Sequence, residues 1–320
     1  MLLGLITRRR ALQGLGLAAM VPFAPAWAAE TDPVPILSFL AVGDWGRDGA
    51  FHQVEVAALM GEVASEVNAA FVVSVGDNFY EDGVASVDDP KWRTSFEDVY
   101  TAPSLQVPWY AALGNHDYHG NTQAQLDYAK TSRRWGMAGR WYKTHQATVT
   151  DKGRVGVDLF VLDTSPFIAA YHADGAKKVK VAGQRTASQL RWLDAALAQS
   201  TAEWKVVVGH HPIYSGGEYG HPGGSPELVA RLDPILQRHR VPLYLCGHEH
   251  DLQHIARGAT HYVCTGAGSL TRKHCHAQRG DFCSVEPGFT VCVASPAFLW
   301  VGYRGWRGEG LGVVEIARPV

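Results

Sequence analysis

Five apolar runs in this chain each end in a glycine followed by a polar side chain: ILSFLAVGD, FVVSVGD, VPWYAALGN, WKVVVGH and VPLYLCGH. A short apolar run with such a stop reads as a buried strand, and the stop sets a reactive group just past its C-terminal end. Helical patterns separate the runs at Phe51 to Val67, Arg185 to Gln199 and Pro226 to Arg238. Strands alternating with helices predict an α/β fold whose site lies outside the carboxyl ends of the strands. From Leu252 the chain turns mainly to strand and turn, in ATHYVCTG, FTVCVAS and AFLWVGYRG, which predicts a second, more antiparallel sheet packed on the first.

With 320 residues, 46% of them hydrophobic, the chain can bury the core of one large domain, and no Pro-rich linker or repeat divides it. A formal net charge of −2 gives no electrostatic basis for binding nucleic acid. Arg8 to Arg10 are the one basic cluster near an apolar stretch, Ala11 to Phe23, which ends at the small-residue site Ala26-Trp27-Ala28. That order is the order of an export signal, and the arginines with Leu12 after them resemble a bacterial twin-arginine signal. The apolar stretch is shorter than the roughly 18 residues of a membrane span, so no stable membrane anchor is expected. Residues 1–28 are thus predicted to be a signal read by the twin-arginine export machinery, which carries folded proteins. Residues 29–320 are expected to form a single domain, and the expected destination is periplasmic or secreted.

Cys246, Cys264, Cys275, Cys283 and Cys292 are an odd set, which leaves at least one thiol unpaired in a monomer. Cys246 and Cys264 end apolar runs and are expected to be buried and inert. Cys275 and Cys283 flank a polar loop and are the leading disulfide candidates. The stretch Asn121 to Trp141 holds a possible helix, QLDYAK, and could wall a pocket or be a surface excursion. The glycine-dense SGGEYGHPGGSP, Ser215 to Pro226, is expected to be a loop overhanging the site.

The strand-end motifs GDWG, GDNFY, GNHD, VVGH and GHEH supply Asp44, Asp77, Tyr80, Asn115, His210, His248 and His250. Taken singly, an aspartate after glycine is commonly a turn or cap, and a histidine is more often a core or surface residue than a ligand. Together they provide the number and kind of donors that two adjacent metal ions need. Asp77 and Tyr80 are close enough in sequence to reach one ion, and His248 and His250 share a face of an extended segment. A tyrosine ligand must lose a proton it ordinarily holds to about pH 10, which only a strongly Lewis-acidic ion such as Fe(III) achieves readily. Imidazole and amide oxygen suit a divalent ion: Fe(II), Zn or Mn.

On these motifs, from Ile36 onward, the chain resembles the purple acid phosphatases of the small tartrate-resistant type, within the calcineurin-like metallophosphoesterases; the tyrosine of GDNFY separates them from most other members. The resemblance implies a four-layer α/β/β/α sandwich with two mixed sheets. It also implies hydrolysis of small-molecule phosphate monoesters, at acidic pH, by a metal-bound hydroxide. Carried over by motif, Asp44, Tyr80 and His250 correspond to Fe(III) ligands, Asn115, His210 and His248 to ligands of the divalent ion, Asp77 to the bridge, and His116 to a phosphate-contacting histidine. The formal charge of such a centre with two aspartates, a phenolate and a hydroxide is about +1, enough to attract a phosphate dianion.

The chain departs from the small mammalian-type pattern where a second histidine follows the glutamate of the loop after VxxH: Glu218 is followed by Tyr219, and the nearest histidine is His221. Glu218, Tyr219 and His221 are therefore candidates for leaving-group protonation. A second oddity is RKHCHAQRGDFC, Arg272 to Cys283, expected to be a disulfide loop; His274 and His276 could otherwise form an accessory metal site. No cysteine with an arginine six positions on, GxSxG elbow or DxDxT run supports a covalent phosphatase mechanism. The remaining alternatives are a phosphodiesterase or nucleotidase on the same centre and a non-catalytic phosphate-binding protein.

Overall fold

The computed structural model describes residues 34–173, 179–220, 224–276 and 282–319. The signal-like segment 1–28 and His221 lie outside the described residues. Two seven-stranded sheets stack face to face. The first holds β1 (Leu37–Val42), β2 (Phe71–Ser74), β3 (Trp109–Ala111), β4 (Trp135–Gly136), β12 (Gly288–Ala294), β13 (Phe298–Gly305) and β14 (Gly310–Ala317), in spatial order β14-β13-β12-β1-β2-β3-β4. The second holds β5 (Tyr142–Thr150), β6 (Gly153–Val161), β7 (Trp204–Val208), β8 (Leu243–Cys246), β9 (Leu252–Arg257), β10 (Thr260–Thr265) and β11 (Phe282–Ser284), in order β11-β9-β10-β8-β7-β6-β5.

Both sheets are mixed. In the first, β1 to β4 run parallel and β12 to β14 add antiparallel to β1; in the second, β6, β7, β8 and β10 run parallel, flanked by antiparallel β5 and β9. The expected separate antiparallel sheet after Leu252 is thus corrected. Those C-terminal strands divide between both sheets, because β1 and β8 each offer an edge that a returning strand can pair with.

Alternation along the strands decides the layers. Val206, Val208, Leu243 and Leu245 join the core shared with the first sheet, whereas Val207, Tyr244 and Cys246 face the outer helices. Helix α1 (Gln53–Val67) covers the first sheet, its Val56, Met60 and Val63 buried at helical spacing. Helix α2 (Thr122–Tyr128) carries the QLDYAK pattern. Helices α3 (Thr186–Gln199), α4 (Pro226–Arg231) and α5 (Asp233–Arg238) cover the second sheet through Leu193, Leu197, Leu228, Leu232 and Leu236. The single helix expected over Pro226 to Arg238 is two, because Pro234 offers no N–H and crowds the carbonyl one turn earlier. The long hairpin β5–β6 was not read from the sequence, although a two-residue turn, Asp151-Lys152, joins it.

Trp45 is fully buried among Phe79, Phe96, Tyr100, Trp109 and Trp135, with ring centroids 5.4 to 6.4 Å away. Its indole N–H donates to Ser74 Oγ at 2.8 Å. Edge-on aromatic pairs each add roughly 0.5–1.5 kcal/mol beyond the area they bury. The cluster therefore fixes the turns that carry Asp44 and Tyr80, the residues next to Trp45 and Phe79. No helix among the described residues is long and apolar enough to cross a membrane.

Candidate metal centre

Asp44, Asp77 and Asn115 follow the parallel strands β1, β2 and β3 of one sheet, while His210, His248 and His250 follow β7 and β8 of the other. The seven candidate donors therefore meet at the seam between the two sheets, at their carboxyl ends. Asp44, Asp77 and His248 hold φ of 58°, 49° and 69°. This left-handed region is uncommon for residues with a Cβ and costs on the order of 1–3 kcal/mol each, a strain that clusters at functional sites.

The Tyr80 hydroxyl donates toward Asp44 Oδ1 and Asp77 Oδ2, both 3.0 Å away, and lies 3.1 Å from His250 Nε2. On the other side, His210 Nε2 is 3.2 Å from Asn115 Oδ1 and 3.4 Å from Asp77 Oδ2. Asp77 therefore stands between two donor groups, Asp44, Tyr80 and His250 on one side and Asn115 and His210 on the other. His248 stacks edge-on to His210 with centroids 5.2 Å apart, and its backbone N–H donates to Asp44 Oδ2 at 3.0 Å. Ring and carboxylate atoms of Asp44, Asp77 and His210 all lie within 4.8 Å of one another, as do ring nitrogens of His210, His211 and His248.

The electrostatics fit cations. Burial, added to the neighbouring charge of Asp77, pushes the Asp44 carboxyl well up. Burial opposes charge on Asp77 too, yet His210 outweighs it and holds that carboxyl well below its usual range. Burial works against a charged His210 as well, but Asp77 and Asp44 raise it to about 9. His248 is pushed down to about 3 by burial and the charge of His210, and His250 to about 3 by burial and Arg272. Two buried carboxylates thus share the site with histidines, two of which are held neutral, the state that binds a metal.

Neighbouring groups orient the donors. His210 Nδ1 meets Val75 O at 3.1 Å, which leaves Nε2 toward Asp77 and Asn115. Asp117, buried, accepts from the backbone N–H of Gly114 at 2.8 Å and from Gln125 Nε2 at 2.7 Å, which fixes the loop of Asn115. A Cβ at Gly114 would collide with Asp77 Oδ1, and one at Gly247 with Asp44 Oδ2, so only glycine permits the carboxylates where they are. His250 Nδ1 is buried without a hydrogen-bond partner. A buried nest of carboxylates, phenol, amide and imidazoles at this density fits a pair of metal ions.

A family profile described as Calcineurin-like phosphoesterase matches residues 37–252. Purple acid phosphatase 7 of Arabidopsis thaliana is 44% identical over 240 residues, covering 73% of this chain and 70% of its own. Tartrate-resistant acid phosphatase type 5 of Sus scrofa is 36% identical over 312 residues, covering 90% and 89%. The chain belongs to the purple acid phosphatases. Among solved structures, one titled GAP50, the anchor in the inner membrane complex of Plasmodium, matches with a TM-score of 0.78 at 26% identity, covering 89% of this chain and 90% of that one. The purple acid phosphatase PPD1 of yellow lupin matches with a TM-score of 0.63 at 16% identity, covering 89% and 54%, a likeness of fold. Two mixed sheets between helices are the metallophosphoesterase sandwich of this phosphatase family.

The centre opens into a cavity of about 490 Å³ lined by residues that include Asp77, Asn115, His116, Tyr219, His248 and His250. His116 Nδ1 meets Glu81 O at 2.6 Å, and its backbone N–H donates to Asp77 Oδ1 at 2.8 Å. Tyr219 stands half exposed at the wall, its ring 5.4 Å from that of His248. Glu218 is exposed and absent from the cavity lining; the glutamates that do line it are Glu227 and Glu249, and Glu249 accepts from Tyr219 N at 3.0 Å. The stretch Asn121 to Trp141 does not line the cavity either. Cys275 and Cys283 are bridged, and Cys246, Cys264 and Cys292 are buried free thiols.

Sequence reasoning missed His211, Tyr171 and Arg272, all of which line the cavity. His211 Nδ1 lies 2.9 Å from Thr164 Oγ1 and its Nε2 lies 3.1 Å from Tyr171 OH. With both ring nitrogens engaged, His211 braces the wall while its neighbour His210 faces Asp77. The doubled histidine of VVGHH was the available signal.

Proposed function

We propose that this chain hydrolyses phosphate monoesters at a centre holding Fe(III) and a divalent ion, Fe(II), Zn or Mn. The observation that carries this reading is Tyr80, whose hydroxyl lies 3.0 Å from both Asp44 and Asp77 among buried histidines. Asp44, Tyr80 and His250 would hold the iron, Asn115, His210 and His248 the divalent ion, and Asp77 would bridge them. Bound together, such ions lower the pKa of water and neutralise charge on phosphate oxygens.

The chain's own residues do the rest. His116 lines the cavity with Nδ1 engaged by Glu81 O, and its other nitrogen would be the one to meet the phosphate and stabilise charge as it shifts between oxygens. Burial and the charges of Asp44 and Asp77 push the Tyr80 phenol well up, so Tyr80 would serve as a phenolate ligand only to a strongly Lewis-acidic ion such as Fe(III). Of Glu218 and Tyr219, the candidate proton donors among the described residues of that loop, Tyr219 lines the cavity where the alcohol would depart. A phenol is a far weaker acid than an imidazolium, so its help is small at acidic pH.

Fold alone does not decide turnover, since a protein titled as an anchor shares this one. The intact donor set favours an enzyme. Metal analysis and a visible spectrum, with rates on nitrophenyl phosphate and bis(nitrophenyl) phosphate, test the reading. Iron with a second metal, a visible band, and faster monoester than diester turnover are expected; stoichiometric zinc without iron would refute the metal assignment, and diester preference the substrate assignment.

Export of the folded protein through the twin-arginine machinery, with cleavage near Ala28, completes the proposal and rests on Arg8, Arg9 and Arg10 ahead of an apolar stretch. Replacing the three by lysine should trap the protein inside the cell; unchanged export would remove this part of the reading.

A further inference from the structure

The RKHCHAQRGDFC segment brings a cation into the active cavity. Arg272 is the only permanently charged cation among the described residues that line it. Its backbone N–H donates to His250 O at 2.9 Å, which anchors the segment on the turn carrying the metal-site histidines. Three residues later Cys275 is bridged to Cys283, and the backbone N–H of His276 donates to Gly216 O at 2.8 Å. The disulfide loop is thus tied both to the metal turn and to the loop that carries Tyr219.

The Arg272 guanidinium sits over the Tyr219 ring, Cζ 4.8 Å from the centroid. Its Nε is buried and has no hydrogen-bond partner. No ion pair to it occurs among the described residues, although Glu249 is near enough to feel its charge. The Glu249 carboxylate accepts instead from Tyr219 N and Ser215 Oγ, each at 3.0 Å. A guanidinium held by stacking with its fork unspent is suited to a planar or tetrahedral oxyanion. A phosphate bound at the centre leaves room in a cavity of about 490 Å³ for the rest of its ester, and Tyr219, Arg272 and Tyr171 are among the residues that line that room.

We propose that Arg272 is a specificity residue for a second anion, so that the enzyme prefers phosphate esters whose leaving group itself carries a carboxylate or phosphoryl group. This rests on the phosphatase reading above. The test compares kcat/KM for 4-(carboxymethyl)phenyl phosphate and phenyl phosphate, whose leaving groups have similar acidity, in wild type, Arg272→Gln and Arg272→Lys. Removing one charge-assisted bidentate interaction should lower the charged-to-neutral ratio about tenfold in Arg272→Gln. Arg272→Lys should fall between, and serves if the glutamine variant does not fold. In parallel, calorimetry of metal-replete protein with methylenebisphosphonate and methylphosphonate reads the phosphoryl arm without turnover, and the same loss of preference is expected there.

A ratio equal in wild type and variants, in both arms, would overturn the proposal. Failure of wild type to turn over phenyl phosphate would instead strike the phosphatase reading, and the bisphosphonate comparison would still decide the role of Arg272. Preference in one arm only assigns the anion as carboxylate or phosphoryl.

Discussion

The Arg47 guanidinium lies over the ring of Tyr80, with Cζ 3.5 Å from the centroid. Arg47 is held there by an ion pair with Glu81 at 2.7 Å, and its charge opposes the burial that keeps the Tyr80 phenol protonated. A cation over a phenolate stabilises it, so the geometry links a side chain that reaches no metal to the electronic state of one that would.

The link predicts colour. A phenolate on Fe(III) produces a charge-transfer band in the visible, and Tyr80→Phe should abolish it. Arg47→Leu should keep the band but move it to longer wavelength, since the donor orbital is no longer lowered by the nearby charge. Absorption spectra of the oxidised variants read both outcomes; a band unmoved by Arg47→Leu would show that the cation is electronically irrelevant.

Gly114 makes a second prediction. Its missing Cβ is where Asp77 Oδ1 sits, so Gly114→Ala must displace the carboxylate proposed to bridge the ions. Metal content should fall, and turnover with it by at least about a thousandfold, because a two-metal centre contributes several kcal/mol to the transition state. Asp77→Asn should match it without the steric change. Either variant with wild-type metal content and rate would remove Asp77 from the centre.

Stability should carry a pH signature from Asp163. Burial raises this carboxyl to about 7, although the Tyr118 hydroxyl donates to Asp163 Oδ2 at 2.5 Å. A carboxyl with a raised folded value binds its proton more tightly when folded, so stability is fully present below the unfolded value near 4 and is lost as pH rises through about 7. The loss is up to about 4 kcal/mol over that window. Asp163→Asn should make the denaturation midpoint of metal-free protein fall less steeply across it, the remaining slope coming from Asp117 and Asp251, which burial raises to about 6 and about 7. A midpoint equally steep in wild type and Asp163→Asn would place the titration elsewhere.

The clustering of the seven candidate donors was legible because strand ends in α/β proteins present side chains at one edge, and each motif that supplies them follows an apolar run. The run says nothing about which sheet it joins. Thus β12 and β13 read as strands, but the pairing of β12 with β1, some 250 residues away in sequence, did not, because pairing alone sets it. Arg272 was illegible for a related reason: its loop is polar and aperiodic, and what brings it to the cavity is a backbone hydrogen bond to His250. His211 was hidden by its neighbour, since two adjacent histidines carry no sign of which faces Asp77 until Thr164 and Tyr171 are seen to occupy both nitrogens of one.

Tyr219 occupies the wall where an imidazole would be the better acid, and its ring lies 5.4 Å from that of His248 and 4.8 Å from the Arg272 guanidinium carbon. A phenol at acidic pH gives a departing alcohol little help, so good leaving groups should be strongly favoured over alkyl ones. The slope of log kcat against leaving-group pKa, with neutral leaving groups used to keep Arg272 out of the comparison, measures this. Tyr219→His should flatten the slope and add an acidic limb to the pH profile for alkyl esters, where a protonated imidazole donates. His221→Ala serves as the control: a steeper slope in that variant would show that His221 already supplies the proton. A flat wild-type slope, with burst kinetics excluding product release as the slow step, would show that another group such as His116 protonates the alcohol and that Tyr219 serves to seat Arg272.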